Sequence, residues 1–134
     1  MNDHQSGLPA GQVPVLRIPA MPAHTNEGGD IFGGWIMGQV DIAGSIPAVL
    51  RAQGRVVTVA VEKMTFLRPV YVGDLLSIYA DVVASGRTSV TVDVRVYAQR
   101  NPVAPECALV SEARLVYVAV DGDGRKRELP ATGD

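Results

Sequence analysis

The chain contains one long apolar stretch with a single carboxylate in its middle. Residues 26–50 read NEGGDIFGGWIMGQVDIAGSIPAVL, Gly-rich at first and then almost continuously apolar. Apolar residues fall on every side of a helix drawn through this stretch, which predicts a helix that is buried all round. Asp41 is the only ionisable group between Asp30 and Arg51. A buried carboxylate needs partners or serves a function.

The apolar stretch is as long as a membrane span, but its composition argues against one. Residues 31–50 include Gln39, Asp41, Pro47 and four glycines, so we interpret them as the core helix of a soluble protein. The beginning of the chain, MNDHQSGLPAGQVP, lacks the features of a signal peptide. The single cysteine, Cys107, is expected to be a buried packing residue. Because one cysteine cannot form a disulfide within the chain, a reducing, cytoplasmic location is expected.

Length and charge limit the class of protein. With 134 residues, 47% of them hydrophobic and 19% charged, the chain is expected to form one domain over residues 1–134. We expect residues 1–13 to be a flexible arm and residues 129–134 a flexible tail. A net charge of -2 argues against nucleic-acid binding, although it allows a local basic pocket.

After the apolar stretch, the period of hydrophobicity changes from about 3.6 to 2 residues. The helix is expected to begin within residues 31–34 and to end near Gly54, with Pro47 kinking it or forcing a tight turn. Strands are expected at residues 15–18 (an edge strand), 55–62 continuing into 64–67, 75–84, 88–99 and 107–120. Alternation is cleanest in the strand over residues 88–99, which predicts a sheet with one dry and one wetter face. In the strand over residues 55–62, the valines expected to share one face are Val57, Val59 and Val61.

This order of elements predicts an α+β fold. Consecutive strands joined by short turns pair antiparallel. A helix buried on all sides cannot lie on an open sheet whose other face is in water. The sheet is therefore predicted to curl around the central helix.

Four stretches carry a resemblance to a known family. They are MPAHTNEGGDIFGGWIMGQVDIAG (21–44), GRVVTVAVEKMTFLRPVYVGD (54–74), SGRTSVTVDVRVYAQ (85–99) and, in the last strand, ARLVYVAVDGDGR. Together they resemble the hotdog fold and, more narrowly, the YciA type of acyl-CoA thioesterase, over residues 15–128. The run TN-x3-DIFGGWIM-x3-D is the most specific part. His24 departs from the family pattern, which often has Asp there, without affecting a catalytic position.

The resemblance implies an enzyme that hydrolyses acyl-CoA thioesters to free acid and CoA. It implies that Asp41 is the general base or nucleophile and that Asn26, from a neighbouring protomer, places the water or the thioester. It also implies self-association as a dimer and a trimer of dimers, commonly a hexamer. Coenzyme A is then part of substrate and product, and no separate cofactor is expected.

Gly33 and Gly34 lie at the expected start of the helix, where unpaired amides and the helix dipole favour negative charge. One of these amides, with Gly34 preferred, is expected to polarise the thioester carbonyl; alternatively, both glycines only permit close packing of helix on sheet. Gly34 and Asp41 are two turns apart, roughly 10 Å, which favours a site completed by a second protomer. The alternative for Asp41 itself is a structural role, capping or tethering a neighbouring loop.

Residues Gly86, Arg87, Thr88 and Ser89 supply a charge and hydroxyls at a strand start, which suits CoA phosphates or pantetheine. Arg55 and Arg68 are further candidates at strand ends, and each arginine alone is equally explained as a surface charge. Asp30 is expected to be the helix N-cap. No spacing of His and Cys indicates a metal site, and no Gly-x-Ser-x-Gly turn indicates a serine nucleophile.

Two alternative functions remain at this stage. A hotdog hydratase or dehydratase would pair a carboxylate with a catalytic histidine, for which neither His4 nor His24 is well placed. A non-catalytic acyl-CoA binding module would keep residues 86–89 but would not need Asp41.

The acyl chain length is not predicted, because pocket depth depends on how Trp35, Met37, Met64 and Phe66 pack. Trp35 and Phe32 are candidates either for lining an acyl tunnel or for core packing.

Overall fold

The computed structural model describes residues 7–132, which form one long helix and one five-stranded sheet. The elements in chain order are β1 (Leu16–Pro19), a short 3-10 helix (Pro22–His24), α1 (Gly33–Ala52), β2 (Val56–Phe66), β3 (Leu75–Ser85), β4 (Ser89–Arg100) and β5 (Glu106–Ala119). All neighbouring strands are antiparallel, in the order β1-β3-β4-β5-β2. A curled antiparallel sheet packed against one helix confirms the predicted α+β architecture.

Strand β4 lies at the centre of the sheet and supplies much of the core. Its apolar side chains are each at most 1% exposed: Val90, Val92, Val94, Val96 and Ala98. The residues between them are only partly buried. The predicted dry face of this strand is therefore confirmed.

Strand β2 is an edge strand, and its pattern differs from the prediction. The expectation that Val57, Val59 and Val61 follow one strict alternation is wrong, because register shifts after Thr58 and after Val61 interrupt the period of two. All three valines are exposed, at 36%, 53% and 44%. An apolar edge strand of this kind is a surface that another chain can cover.

Helix α1 packs on the sheet by one face only. The buried residues of this helix are Ile36, Val40, Ala43, Gly44, Ala48 and Ala52. Large apolar side chains on its other side are exposed: Met37, Ile42, Ile46, Val49 and Leu50. The prediction of a helix buried all round is thus wrong for a single chain, because the sheet reaches only one side of it.

The start of α1 at Gly33 and its end at Ala52 agree with the expected bounds, but the predicted N-cap does not. The helix continues through Pro47 without the tight turn that was one of the two expectations for this residue. Gln53, in the left-handed region at φ 52°, follows the last helical residue, Ala52. At the other end the N-cap is Phe32, and no side chain caps the helix. The prediction that Asp30 is the N-cap is therefore wrong; Asp30 instead forms a β-bridge with Tyr71.

Tyr117 on β5 joins the sheet to the middle of the helix. Its side chain is fully buried, and its hydroxyl donates to the backbone carbonyl of Asp41 at 2.8 Å. Gly44 lies against this ring. A Cβ at Gly44 would collide with the Tyr117 hydroxyl and would lie 3.2 Å from Cζ. The absence of a side chain at this position lets helix and sheet approach this closely.

A charged pair is buried at the connection between β2 and β3. The side chain of Asp74 is 3% exposed and accepts from Arg100 Nη2 at 2.8 Å and from the amide of Tyr71 at 2.9 Å. The Arg100 guanidinium also lies over the Tyr71 ring, 5.0 Å from its centroid. Because Tyr71 bridges to Asp30, this pair supports the loop that precedes the helix.

The segments outside the sheet make specific contacts. Leu129 packs against the core, and its amide donates to the carbonyl of Arg87 at 2.8 Å. Arg51 Nη1 donates to the carbonyl of Pro130 at 2.7 Å. The predicted flexibility of residues 1–13 and 129–134 stays a prediction, and part of both ranges lies outside the described residues. Within residues 7–132, no helix is long and apolar enough to cross a bilayer.

We expect Gly44→Ala to lower the free energy of unfolding by about 1–3 kcal/mol, because the added methyl group overpacks the core. Tyr117→Phe removes the atom that this methyl group would strike. Gly44→Ala should therefore cost less in a Tyr117→Phe background than in the native protein. Denaturant unfolding of the four forms measures this difference, and an equal cost in both backgrounds would contradict the proposed clash.

We expect Asp74→Ala to destabilise the protein by about 3 kcal/mol, because it leaves the Arg100 charge without its buried partner. Asp93→Ala is the matched control, since the side chain of Asp93 pairs with Arg114 at 2.6 Å on an exposed part of the sheet. The control should change stability little. Equal midpoints for the two variants in urea unfolding would show that burial of the pair between Asp74 and Arg100 does not increase its contribution to stability.

Candidate active site

Asp41 lies in the middle of α1, partly exposed, with its carboxylate directed toward the sheet. Its Oδ1 accepts from the hydroxyl of Thr58 at 2.7 Å and from the hydroxyl of Tyr117 at 3.2 Å. Thr58 and Tyr117 are register partners on β2 and β5, so the two donors lie side by side. Sequence reasoning missed both residues. The alternation of β5 could have indicated an inward Tyr117, but nothing in the sequence linked either hydroxyl to Asp41.

The hydroxyl of Tyr117 is a permanent donor at this site. Burial raises the pKa of Tyr117, and the charge and hydrogen bond of Asp41 raise it further. The phenol therefore stays protonated at physiological pH. The alternative role considered for Asp41 was to cap or tether a neighbouring loop. Its carboxylate is indeed hydrogen-bonded within the chain, but to two residues of the sheet and not to a loop.

Asn26 organises the turn that leads into the helix. Its Oδ1 accepts from the amides of Gly28 and Asp30, at 2.8 and 3.2 Å. Its backbone amide donates to the carbonyl of Asp30 at 2.7 Å. Side-chain oxygens of Asn commonly stabilise turns in this way. Because the oxygen is engaged, the side-chain NH2 group is what Asn26 can offer to another group as a donor.

The two glycines at the start of α1 have different surroundings. A Cβ at Gly33 would lie 3.1 Å from the ring of Phe66, so close packing accounts for this glycine. A Cβ at Gly34 would meet nothing within 4 Å, and packing gives no reason for a glycine there. Gly34 is exposed in the first helical turn, where amides have no acceptor within the helix. The geometry therefore separates the two predicted glycines and leaves Gly34 open to a ligand.

Asn26 and Gly33 line a shared cavity of about 290 Å³, together with Ile36, Phe66 and Arg68. Asp41 does not line this cavity, because it lies two turns further along α1. A single chain therefore does not bring Asn26 and Asp41 together. A larger cavity of about 760 Å³ lies on the sheet among charged side chains such as Glu62 and Arg114, and it contains none of the predicted site residues.

Most of the residues predicted to contact CoA gather at one end of the sheet, whereas Arg68 lies apart from them, in the cavity with Asn26. The carbonyl of Arg55 accepts from Val120 at 3.0 Å, and the carbonyl of Thr88 accepts from Ala119 at 2.9 Å. Arg55 and the turn formed by Gly86, Arg87, Thr88 and Ser89 are thus near neighbours across β5. Arg87 is 84% exposed and pairs with Glu128 at 3.0 Å.

Sequence reasoning missed two further arginines at this end. A Cβ at Gly54 would lie 2.6 Å from Arg127 Nη2, which places the Arg127 guanidinium beside the start of β2. Arg51 lies in the last turn of α1. With Arg55 and Arg87, they make four arginines, which we call the basic end. The first and the last of them, Arg51 and Arg127, are 76 positions apart in sequence, so no local charge pattern indicated that the four lie together.

The remaining predicted residues are structural in this chain. The ring of His24 stacks on Trp35, with centroids 4.3 Å apart, and its Nδ1 accepts from the amide of Met21 at 3.3 Å. Cys107 is half-buried, and burial raises the pKa of its thiol. Among residues 7–132, no three His, Cys, Asp or Glu side chains gather as metal ligands.

Comparisons with known proteins agree with this architecture. The model of the thioesterase superfamily matches residues 28–105. The chain is 51% identical over 127 residues to acyl-CoA thioester hydrolase YciA of Salmonella typhimurium, covering 93% of this chain and 95% of the relative.

Two solved structures extend the comparison. A hexameric hotdog-fold thioesterase of Campylobacter jejuni superposes with a TM-score of 0.86 at 44% identity, covering 89% of this chain and 91% of that one. An acyl-CoA hydrolase from Staphylococcus aureus, solved with butyryl coenzyme A, coenzyme A and coenzyme A disulfide, superposes with a TM-score of 0.79 at 28% identity, covering 87% and 70%. The chain thus has the hotdog fold and belongs to the thioesterase superfamily, within the family of YciA acyl-CoA thioester hydrolases.

Proposed function

We propose that this protein hydrolyses acyl-CoA thioesters to a free acid and CoA, at sites built from two protomers. The observation that carries the proposal is the placement of Asp41. Its carboxylate is held by two hydroxyls in the middle of an otherwise apolar helix, while Asn26 and Gly34 lie at the start of that helix. Each chain therefore contains both halves of a hydrolytic site but keeps them apart.

In the proposed reaction, Asp41 of one protomer takes a proton from water as the water oxygen attacks the thioester carbon. The charge that grows on the carbonyl oxygen is stabilised by the amide of Gly34, with the dipole of α1 behind it. Asn26 of the other protomer donates from its NH2 group to the water or the thioester. The carbon–sulfur bond then breaks, the acid is released, and the CoA thiolate takes the proton back from Asp41. Direct attack by the carboxylate is the alternative role of Asp41.

The assembly follows from the surface that a single chain leaves uncovered. One side of α1 and the edge strand β2 expose large apolar side chains, including Ile42, Leu50 and Val59, at 53%, 74% and 53%. Apolar patches of this kind mark interfaces between proteins. We propose a dimer and, from the hexameric relatives, a trimer of dimers. In this assembly the apolar side of α1 is buried as the sequence predicted.

The basic end of the sheet suits the phosphates of CoA. Guanidinium groups bind phosphate through paired hydrogen bonds. Arg51 and Asp41 are ten residues apart on α1, roughly 15 Å. This distance separates the phosphates from the reacting thioester, as the long pantetheine arm of CoA requires. The Gly86–Ser89 turn then contacts the nucleotide or the upper part of the arm.

Asp41→Ala and Asn26→Ala are each expected to lower kcat/KM by roughly a hundredfold or more, measured as thiol release from a panel of acyl-CoAs. Asp93→Ala is the control, since it removes an aspartate of the sheet that contacts none of the proposed site residues. If Asp41→Ala keeps native turnover, Asp41 is not part of the mechanism. CoA binding without thiol release by the native protein would instead indicate a binding module.

Mixing the two inactive variants tests the two-protomer site. When Asp41→Ala and Asn26→Ala chains are unfolded together and refolded, mixed assemblies contain some sites with both native residues. We expect activity to reappear in the mixture to a sizeable fraction of the native level. Each variant refolded alone serves as control, and a mixture as inactive as its components would place both residues in one chain's site.

Arg55→Ala and Arg87→Ala are each expected to raise KM for acyl-CoA several-fold at low salt while changing kcat little. The reason is that phosphate contacts are made equally in the ground state and in the transition state. The increase should shrink as salt concentration rises, because salt screens exposed charges. Arg114→Ala, on the sheet away from the basic end, is the matched control. An equal KM increase for Arg114→Ala would argue against a specific phosphate site.

A further inference from the structure

The two oxygens of the Asp41 carboxylate have different surroundings. Oδ1 accepts from the hydroxyls of Thr58 and Tyr117, at 2.7 and 3.2 Å. Within residues 7–132, the structure gives Oδ2 no donor. A carboxylate held at one oxygen only presents the other oxygen in a fixed direction.

We propose that Tyr117 is a positioning residue that sets the rotation of the Asp41 carboxylate, so that Oδ1 is held by the protein and Oδ2 receives the proton from water. This inference rests on the proposed role of Asp41 in hydrolysis. It assigns Tyr117 no contact with substrate. Its effect on the reaction passes entirely through Asp41.

Tyr117 is suited to this role because it contacts both the helix backbone and the carboxylate. Its single hydroxyl proton is shared between the carbonyl of Asp41, at 2.8 Å, and Oδ1, at 3.2 Å. The shorter distance to the carbonyl fixes the hydroxyl with respect to the helix. The longer one ties the carboxylate to that fixed point. Gly44 lies directly against the hydroxyl, since a Cβ there would collide with it.

The two donors to Oδ1 differ in how firmly they are held. Thr58 belongs to the edge strand β2 and is exposed, next to a register shift. Tyr117 belongs to β5, which is paired on both sides, and its side chain is fully buried. Tyr117 is therefore the rigid member of the pair. Its raised pKa, caused first by burial, keeps the hydroxyl protonated and donating.

The experiment is Tyr117→Phe in the full-length protein, with steady-state kinetics on one acyl-CoA and binding of free CoA by calorimetry. Phenylalanine keeps the ring and removes only the hydroxyl. We expect kcat to fall roughly tenfold to a hundredfold, which is the usual effect of a hydrogen bond to a charged group. KM and the dissociation constant of CoA should stay within about twofold of native, because binding groups are untouched.

Tyr97→Phe is the matched control. The Tyr97 hydroxyl lies near Arg95 on β4 and makes no contact with Asp41. Kinetics are compared well below the melting temperature of each variant, at equal concentrations of folded assembly. If Tyr117→Phe lowers only the melting temperature and keeps kcat within about twofold, Tyr117 has a structural role alone and the proposal is overturned.

A second measurement needs no variant. A crystal structure of the native assembly should show the Tyr117 hydroxyl within hydrogen-bonding distance of the Asp41 backbone carbonyl and of the carboxylate oxygen shared with Thr58 (Oδ1), with Oδ2 facing the thioester space. Oδ1 facing that space instead would overturn the assignment even if Tyr117→Phe did not fold. The proposed function fails separately: it falls if Asp41→Ala remains active, whereas the positioning role alone falls if Asp41→Ala is inactive and Tyr117→Phe is not impaired.

Discussion

The packing of α1 against the sheet by one face is the constraint on which the rest of the structure depends. Alanine and glycine on the buried face let the helix approach β4 and β5 closely, and Gly44 lies directly against Tyr117. The other face is equally apolar, so the hydrophobic effect that holds the helix in one chain also favours covering it with a second. In the proposed assembly, folding and association therefore depend on the same element.

Close packing at Gly44 also connects stability with chemistry. The hydroxyl that fits beneath the helix is the one that holds Asp41. A polar group in a core is favourable only when its hydrogen bonds are satisfied, and here a helix carbonyl and a carboxylate satisfy it. The proposed catalytic group, Asp41, is therefore oriented by the core itself rather than by a loop, and a rigid element is the better support for a reacting group.

Much of the fold was predictable from the sequence, because β4 alternates strictly and the helix is long and uninterrupted by charge except at Asp41. The edge strand β2 was not predictable in detail, because its bulges depend on pairing with β5. Asp30 failed as an N-cap because a bridge to Tyr71, 41 residues away, decided its conformation. Thr58, Tyr117, Arg51 and Arg127 escaped notice for the same reason. Their roles come from contacts between distant segments, and no local period records such contacts.

The short segment after β5 has a consequence beyond closing the chain. Through Leu129 and Pro130 it fastens the turn carrying Arg87 to the helix end carrying Arg51. The spacing among the arginines of the basic end therefore depends on this short C-terminal segment as well as on the sheet. A protein shortened within this segment would lose the contact of Leu129 with the core and, on the proposed function, would bind the nucleotide end of CoA less tightly. On the proposed function, CoA recognition and thioester cleavage are therefore separable properties, because the first depends on Arg51 in the last turn of α1 and the second on Asp41 in its middle.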